Sequence, residues 1–351
     1  MRHSSASICY MPQHRTAHRP RERAPTLRRE GRAESMFVKK DTRKIPDILA
    51  DEGDEREELH LGRRSSEFVS NGIKVVCSSR HIPRLQKLQK LSLYDNMLSH
   101  VKGIGALSAT PLKHLNVGRN QLKSLPPELG KVGTLETLWV DDNAITDFPR
   151  SVLQLKRLQE LRLSGNRISE VPEEIAALSE LRVLALDNNE VKTVPKSIGQ
   201  LSHLQSLLLR QNELEELPGE VGGLLDLRTL SVSSNRLVSL PSSVGQLVLL
   251  EFLFANGNRL LSLPPELAGL MKLRKANLSN NSIHSLPVDV EAAWGRADPV
   301  TGKLDPATVD SPRKTEVVIR GNPVADPKQA AGSARGYTAE QDMMSSMDET
   351  R

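Results

Sequence analysis

Residues 158–172 read LQELRLSGNRISEVP, and residues 181–195 read LRVLALDNNEVKTVP. Both fit one frame, L-x-x-L-x-L-x-x-N-x-L-x-x-L-P, with Ile and Val standing in for Leu after the asparagine. Working outward on the asparagine gives Asn96, Asn120, Asn143, Asn166, Asn189, Asn212, Asn235, Asn258 and Asn281, with steps of 24 and then 23 seven times. Nine units in one register make a repeat architecture. The L-x-L segment alternates, so it forms a short strand with its leucines inward and the residues between them outward. The asparagine amide reaches free backbone groups of the adjoining turn and builds a ladder up the stack. The L-P step denies helix to the residue before proline and starts an extended or tightly helical return. A single unit cannot bury its apolar sides alone, and stacking buries them. Of 52 leucines, 47 lie between Leu85 and Leu286, which places the core there.

This frame resembles that of leucine-rich repeat proteins. Its 23-residue form ending in L-P resembles the intracellular Ras-group branch, with its Shoc-type scaffolds and plant intracellular Ras-group proteins. The resemblance implies an α/β solenoid, a horseshoe with a curved parallel β-sheet on the concave face, built from nine 23–24-residue repeats plus divergent caps. It also implies a partner protein, a small GTPase or a signalling enzyme. Nothing in it calls for a cofactor.

The repeats occupy residues 85–293. Residues 36–84 read as a divergent N-terminal cap: Ile45-Pro46 imitates the L-P return and Leu59-His60-Leu61 the strand, with Arg64 at the asparagine position. Cys77 reads as a buried cap residue. Residues 294–324 hold a loop insert rich in Gly, Pro and Asp, then Val317 to Asn322, which restores half a repeat and closes the stack. Trp294 is placed to cover the last full return. Residues 325–351 read as a disordered C-terminal tail. Residues 1–35 form a basic disordered tail or targeting segment. Their eight arginines against three glutamates account for the whole formal charge of +5, and the remaining 40 basic and 40 acidic residues cancel.

That balance argues against a nucleic-acid partner for the body of the chain. Two cysteines build no disulfide framework, so the chain reads as cytoplasmic, with a mitochondrion or plastid as the alternative if residues 1–35 are a transit peptide. No run of about 18 apolar residues is present to span a membrane. Phosphate-loop, G-x-S-x-G and H-E-x-x-H motifs are absent, and the histidines show no metal spacing. The reading is therefore not an enzyme, with no small-molecule substrate, cofactor or metal.

Function falls to the outward strand positions, which line the concave face. Four of the ten aromatic residues, Tyr94, Trp139, Phe252 and Phe254, land there although folding does not need them. Trp139 has Arg162 on the next rung, with Asp141, Asp142 and Glu160 around it. Phe252 and Phe254, with Leu208, make a second, apolar anchor, and Arg210 stands beside them. These residues nominate an intracellular scaffold or adaptor that binds a partner on the concave face. The alternatives are an organelle-imported structural or assembly protein, and a regulatory subunit acting through its tails. Ala255 and Ala276, standing where leucine is the rule, mark their rungs as the places to expect irregularity.

Overall fold

The computed structural model describes residues 56–63, 85–297, 303–305 and 315–325. The chain divides into two units, Met1–Arg43 and Lys44–Arg351, and every described residue lies in the second. The expectations for residues 1–35, for Cys77 and for the C-terminal tail beyond residue 325 fall outside the described residues.

Each L-x-L segment forms a three-residue strand: β1 Glu58–His60, β2 Lys90–Ser92, β3 His114–Asn116, β4 Thr137–Trp139, β5 Glu160–Arg162 and β6 Val183–Ala185. Then come β7 Ser206–Leu208, β8 Thr229–Ser231, β9 Phe252–Phe254 and β10 Lys275–Asn277. A two-stranded antiparallel ribbon, β11 Arg296–Ala297 and β12 Leu304–Asp305, precedes the last strand, β13 Glu316–Val318. All strands except the ribbon form one curved, parallel, 11-stranded sheet in chain order, with β13 paired directly on β10. Two rungs therefore flank the nine counted from the sequence. At the N-terminal end the strand starts one residue before Leu59, and Leu59 pairs with Leu91. Through Ala255 and Ala276 the pairing is unbroken, and both alanines are fully buried. The strand ladder depends on backbone groups alone, so a smaller inward side chain leaves it intact.

The returns are 3-10 turns. The first, Ile104–Ala109, starts at Gly103, and a proline starts each of the next seven: Pro126, Pro149, Pro172, Pro195, Pro218, Pro241 and Pro264, all with extended ψ, and the proline carbonyl accepts the N–H three residues on. Proline's fixed φ suits this position, and its missing N–H is not needed there. In three successive returns a glycine lies against the next turn. A methyl group on Gly222 would sit 2.8 Å from the Ser243 carbonyl, one on Gly245 would sit 2.6 Å from the Glu266 carbonyl, and one on Gly199 would clash with the Glu220 carbonyl. The same place is filled by Leu153, Ala176 and Ala268 in other rungs.

Two regularities hold the strand ends. The residue just before each ladder asparagine turns the chain through the left-handed region: Arg119, Asp142, Asn188, Gln211, Ser234 and Asn280 have φ between 54° and 57°, and glycine serves at Gly165 and Gly257. The asparagine then ties rungs together. Asn189 Nδ2 donates to the carbonyls of Leu163 (2.9 Å) and Leu186 (3.1 Å), and its Oδ1 accepts the Ile168 N–H at 3.0 Å. Asn120, Asn143, Asn166, Asn212, Asn235, Asn258 and Asn281 repeat the pattern, and Asn96 joins β2 to the β1 rung through the Leu61 carbonyl. Asn322 closes the ladder on the Leu278 carbonyl.

At the C-terminal end the return becomes a helix, α1 Val288–Trp294, which packs on the preceding 3-10 turn. Val290 and Trp294 are buried from that helix, which covers the last 3-10 return, Pro265–Gly269. Capping of this kind is needed because a terminal rung otherwise leaves its leucines against water.

Candidate functional site

Outward strand residues make two parallel columns on the concave face, with a third just past the strand ends. The first column carries Glu160 and Phe252, and the middle one carries Trp139, Arg162, Leu208 and Phe254. Tyr94, Asp141 and Arg210 stand in the third. Asp142 lies beyond it, at the left-handed position of its rung, with its carboxylate over Gly165.

The structure brings Trp139, Glu160, Arg162 and Asp141 together. Strands β4 and β5 pair Trp139 with Arg162, and the guanidinium lies 4.8 Å from the indole centroid. Glu160, two residues back on the same strand face, hydrogen-bonds Arg162 Nε. The Trp139 indole N–H is sealed from water without an acceptor, so the ring is held by packing and by the cation above it. Asp141 Oδ1 accepts the Ser164 N–H at 2.8 Å, and Asp187 does the same for Arg210 at 2.7 Å. These two carboxylates therefore bond backbone from one rung to the next.

Burial pushes the Asp141 carboxyl up to about 6, against the opposing pull of the Ser164 amide and Arg162; burial also raises Asp187. The consequence for stability has a definite sign. Below about pH 4 the folded and unfolded chains both hold the proton, and the buried acid costs nothing. Between about pH 4 and 6 the unfolded chain releases the proton while the folded chain still holds it, so stability falls across that window by up to about 3 kcal/mol and levels off above it. Asp141→Asn keeps the acceptor for Ser164 and removes the charge. Urea melts are expected to show a gain for the variant at pH 7.5 and none at pH 4.

Tyr94 packs over Gly118, where no side chain competes for the space, and Arg119 bonds its hydroxyl. It stands two rungs from Trp139 and does not join that group. Phe252 and Phe254 lie with ring centroids 6.3 Å apart and planes 10° from parallel. Strands at about 4.8 Å spacing put the Phe254 rung roughly 24 Å from the Trp139 rung, so the two aromatic groups are separate features. Leu208 stands between them, half-buried. Its middle-column neighbours Ala185 and Ser231 are only 4% and 8% exposed, because larger side chains on either side overhang them.

Sequence reasoning missed the residue just before each strand. There Glu251 pairs with both Arg228 (2.9 Å) and Arg274 (3.5 Å), and Arg274 also approaches the Phe252 ring at 5.9 Å. The signal was present, since Arg228, Glu251 and Arg274 are 23 residues apart. Among the described residues no cluster of three His, Cys, Asp or Glu is placed to hold a metal ion, and no helix is long and apolar enough to cross a membrane.

A scan against family models matches the leucine-rich repeat region over residues 196–291 and the leucine rich repeat over residues 110–168, 133–191 and 156–214. Together the matches run from residue 110 to 291, more than half of the 351 residues. This chain is a leucine-rich repeat protein. No curated protein matches it. Among solved structures, a leucine-rich repeat protein of Leptospira interrogans is 29% identical with a TM-score of 0.66, over 79% of this chain and 75% of that one. The ectodomain of the Arabidopsis thaliana membrane receptor kinase GASSHO1/SCHENGEN3, in complex with CASPARIAN STRIP INTEGRITY FACTOR 2, is 30% identical with a TM-score of 0.54, over 59% of this leucine-rich repeat chain. The plant peptide hormone receptor RGFR1, in complex with RGF2, is 25% identical with a TM-score of 0.56, over 69%. This chain spans only 26% and 37% of those two receptors.

Proposed function

We propose that this leucine-rich repeat protein is a non-enzymatic, cytoplasmic adaptor that holds another protein against its concave face. The observation that carries the reading is the placement of Trp139, Phe252 and Phe254 on outward strand positions, where the repeat frame has no use for them. Aromatic and arginine side chains dominate binding energy at protein interfaces, and here they share one face. Two structurally similar receptors were solved with peptide or protein ligands, which supports a binding role for the fold. The 23-residue L-P frame favours the Ras-group branch, and with it a small GTPase or a signalling enzyme as partner.

The test is a quantitative pull-down from cell extract, with wild type beside a folded Trp139→Ala/Phe252→Ser/Phe254→Ser variant and captured proteins identified by mass. Specific partners are expected to disappear with the variant. Partners that persist undiminished would place recognition on the tails or on the convex side.

A further inference from the structure

We infer that the partner is engaged chiefly on the four rungs β6–β9, through an uncharged, apolar stretch of its own chain, rather than at Trp139. This rests on the reading that the concave face holds a protein. From β6 to β9 neither strand column carries a charge. Val183, Ala185 and Leu208 supply apolar surface, Ser206, Thr229 and Ser231 supply hydroxyls, and the stacked Phe252 and Phe254 close the end. Charge returns on every border. Glu160 and Arg162 stand on β5 and Lys275 on β10, Asp187 and Arg210 follow the strand ends, and Arg228, Glu251 and Arg274 precede the strands.

An uncharged floor inside a charged rim is how protein interfaces are arranged, with charge depleted at the core and a wet periphery. On three sides the rim ions answer one another: Arg162 with Glu160, Glu251 with Arg228 and Arg274, and Lys275 with Glu316 at 3.1 Å. A charged partner group set on the floor would lose its water and meet no opposite charge in either strand column. The matching chemistry is therefore uncharged and apolar. Along the middle column Ala185, Leu208, Ser231 and Phe254 alternate small with large, so Leu208 and Phe254 present the column's apolar surface, about 10 Å apart at two strand spacings. Four rungs cover about 14 Å, the reach of four to five extended residues. Trp139, by contrast, is already covered by Arg162.

The probe is a library of random heptapeptides displayed on phage and selected on the full chain. The selected sequences are then made as synthetic peptides and measured by fluorescence anisotropy on wild type, Leu208→Glu, Thr229→Lys and Trp139→Ala. Thermal melts establish that each variant is folded, and Thr229→Lys stands in if Leu208→Glu is not. Peptides with uncharged, apolar centres are expected, weakened about tenfold or more by each inserted charge and less than about threefold by Trp139→Ala. Charged peptides that depend on Trp139 alone would overturn the inference and leave concave-face binding standing. Peptides indifferent to all three variants would overturn both. Failure to enrich any peptide would overturn the inference, as would a self-association in sedimentation that Leu208→Glu abolishes, since the floor would then belong to a second copy.

Discussion

Leu184→Asp is expected to destroy the cooperative folding of the central rungs. Leu184 is 1% exposed at the middle of β6 and pairs in register with Leu161 and Leu207, both fully buried. The substitution removes an apolar side chain whose burial contributes about 2 kcal/mol, and it sets an unpaired carboxylate in the same space at several kcal/mol more. The sum approaches the whole stability of an ordinary domain, roughly 5–15 kcal/mol. A repeat array contacts only its neighbours, so the damage should be centred on β5–β7. Hydrogen exchange is the measurement of choice: protection should vanish at those rungs first, and the thermal midpoint should fall by more than about 10 °C. Arg182→Asp, two residues away on an exposed side chain, should stay within about 0.5 kcal/mol of wild type. Similar midpoints for the two variants would remove Leu184 from the core.

Asn189→Ala should cost about 2–4 kcal/mol without adding any charge or bulk. The Ile168 N–H has Asn189 Oδ1 as its acceptor, and without it a buried donor is stranded. The two carbonyls are better insured, because Leu163 also accepts from Asn166 and Leu186 also accepts from Asn212. Asn189→Asp separates the two halves of the role. It keeps an acceptor for Ile168 and sets a carboxylate oxygen against those carbonyls, so at pH 7 it should be worse than alanine. Urea midpoints for the three proteins would decide the matter. Aspartate equal to asparagine would mean that the donor half of the ladder contributes nothing.

The period made most of this fold legible. Inward leucines, ladder asparagines and turn-starting prolines recur at fixed spacing, and each answers to a local rule of backbone geometry, so reading one rung reads them all. The first cap strand was visible only as Leu59 and Leu61, because its rung has no asparagine. The site was legible in position and not in contact. Counting outward residues found Trp139, Phe252 and Phe254, but whether Arg162 reaches out to solvent or folds over Trp139 depends on side-chain torsions across two strands, which no spacing encodes. Asp141's bond to the Ser164 amide was hidden for a related reason, since nothing in the spacing shows that a carboxylate two residues beyond an outward position reaches the next rung's backbone. Ala185 and Ser231 shared its column logic, and their burial comes entirely from taller neighbours.

The glycines of the returns bear on the face they never touch. Gly199, Gly222 and Gly245 occupy the three turns that lie behind β6–β9, and each lets its turn settle against the next more closely than a methyl group would allow. The bend of a repeat array is the sum of small differences between the spacing at its front, set by strand hydrogen bonds, and the spacing at its back, set by whatever fills the returns. With the back drawn in at these rungs, the front opens. The uncharged floor is thereby kept flatter than a more tightly bent array would leave it. The width of the mouth is set on the far side of the molecule.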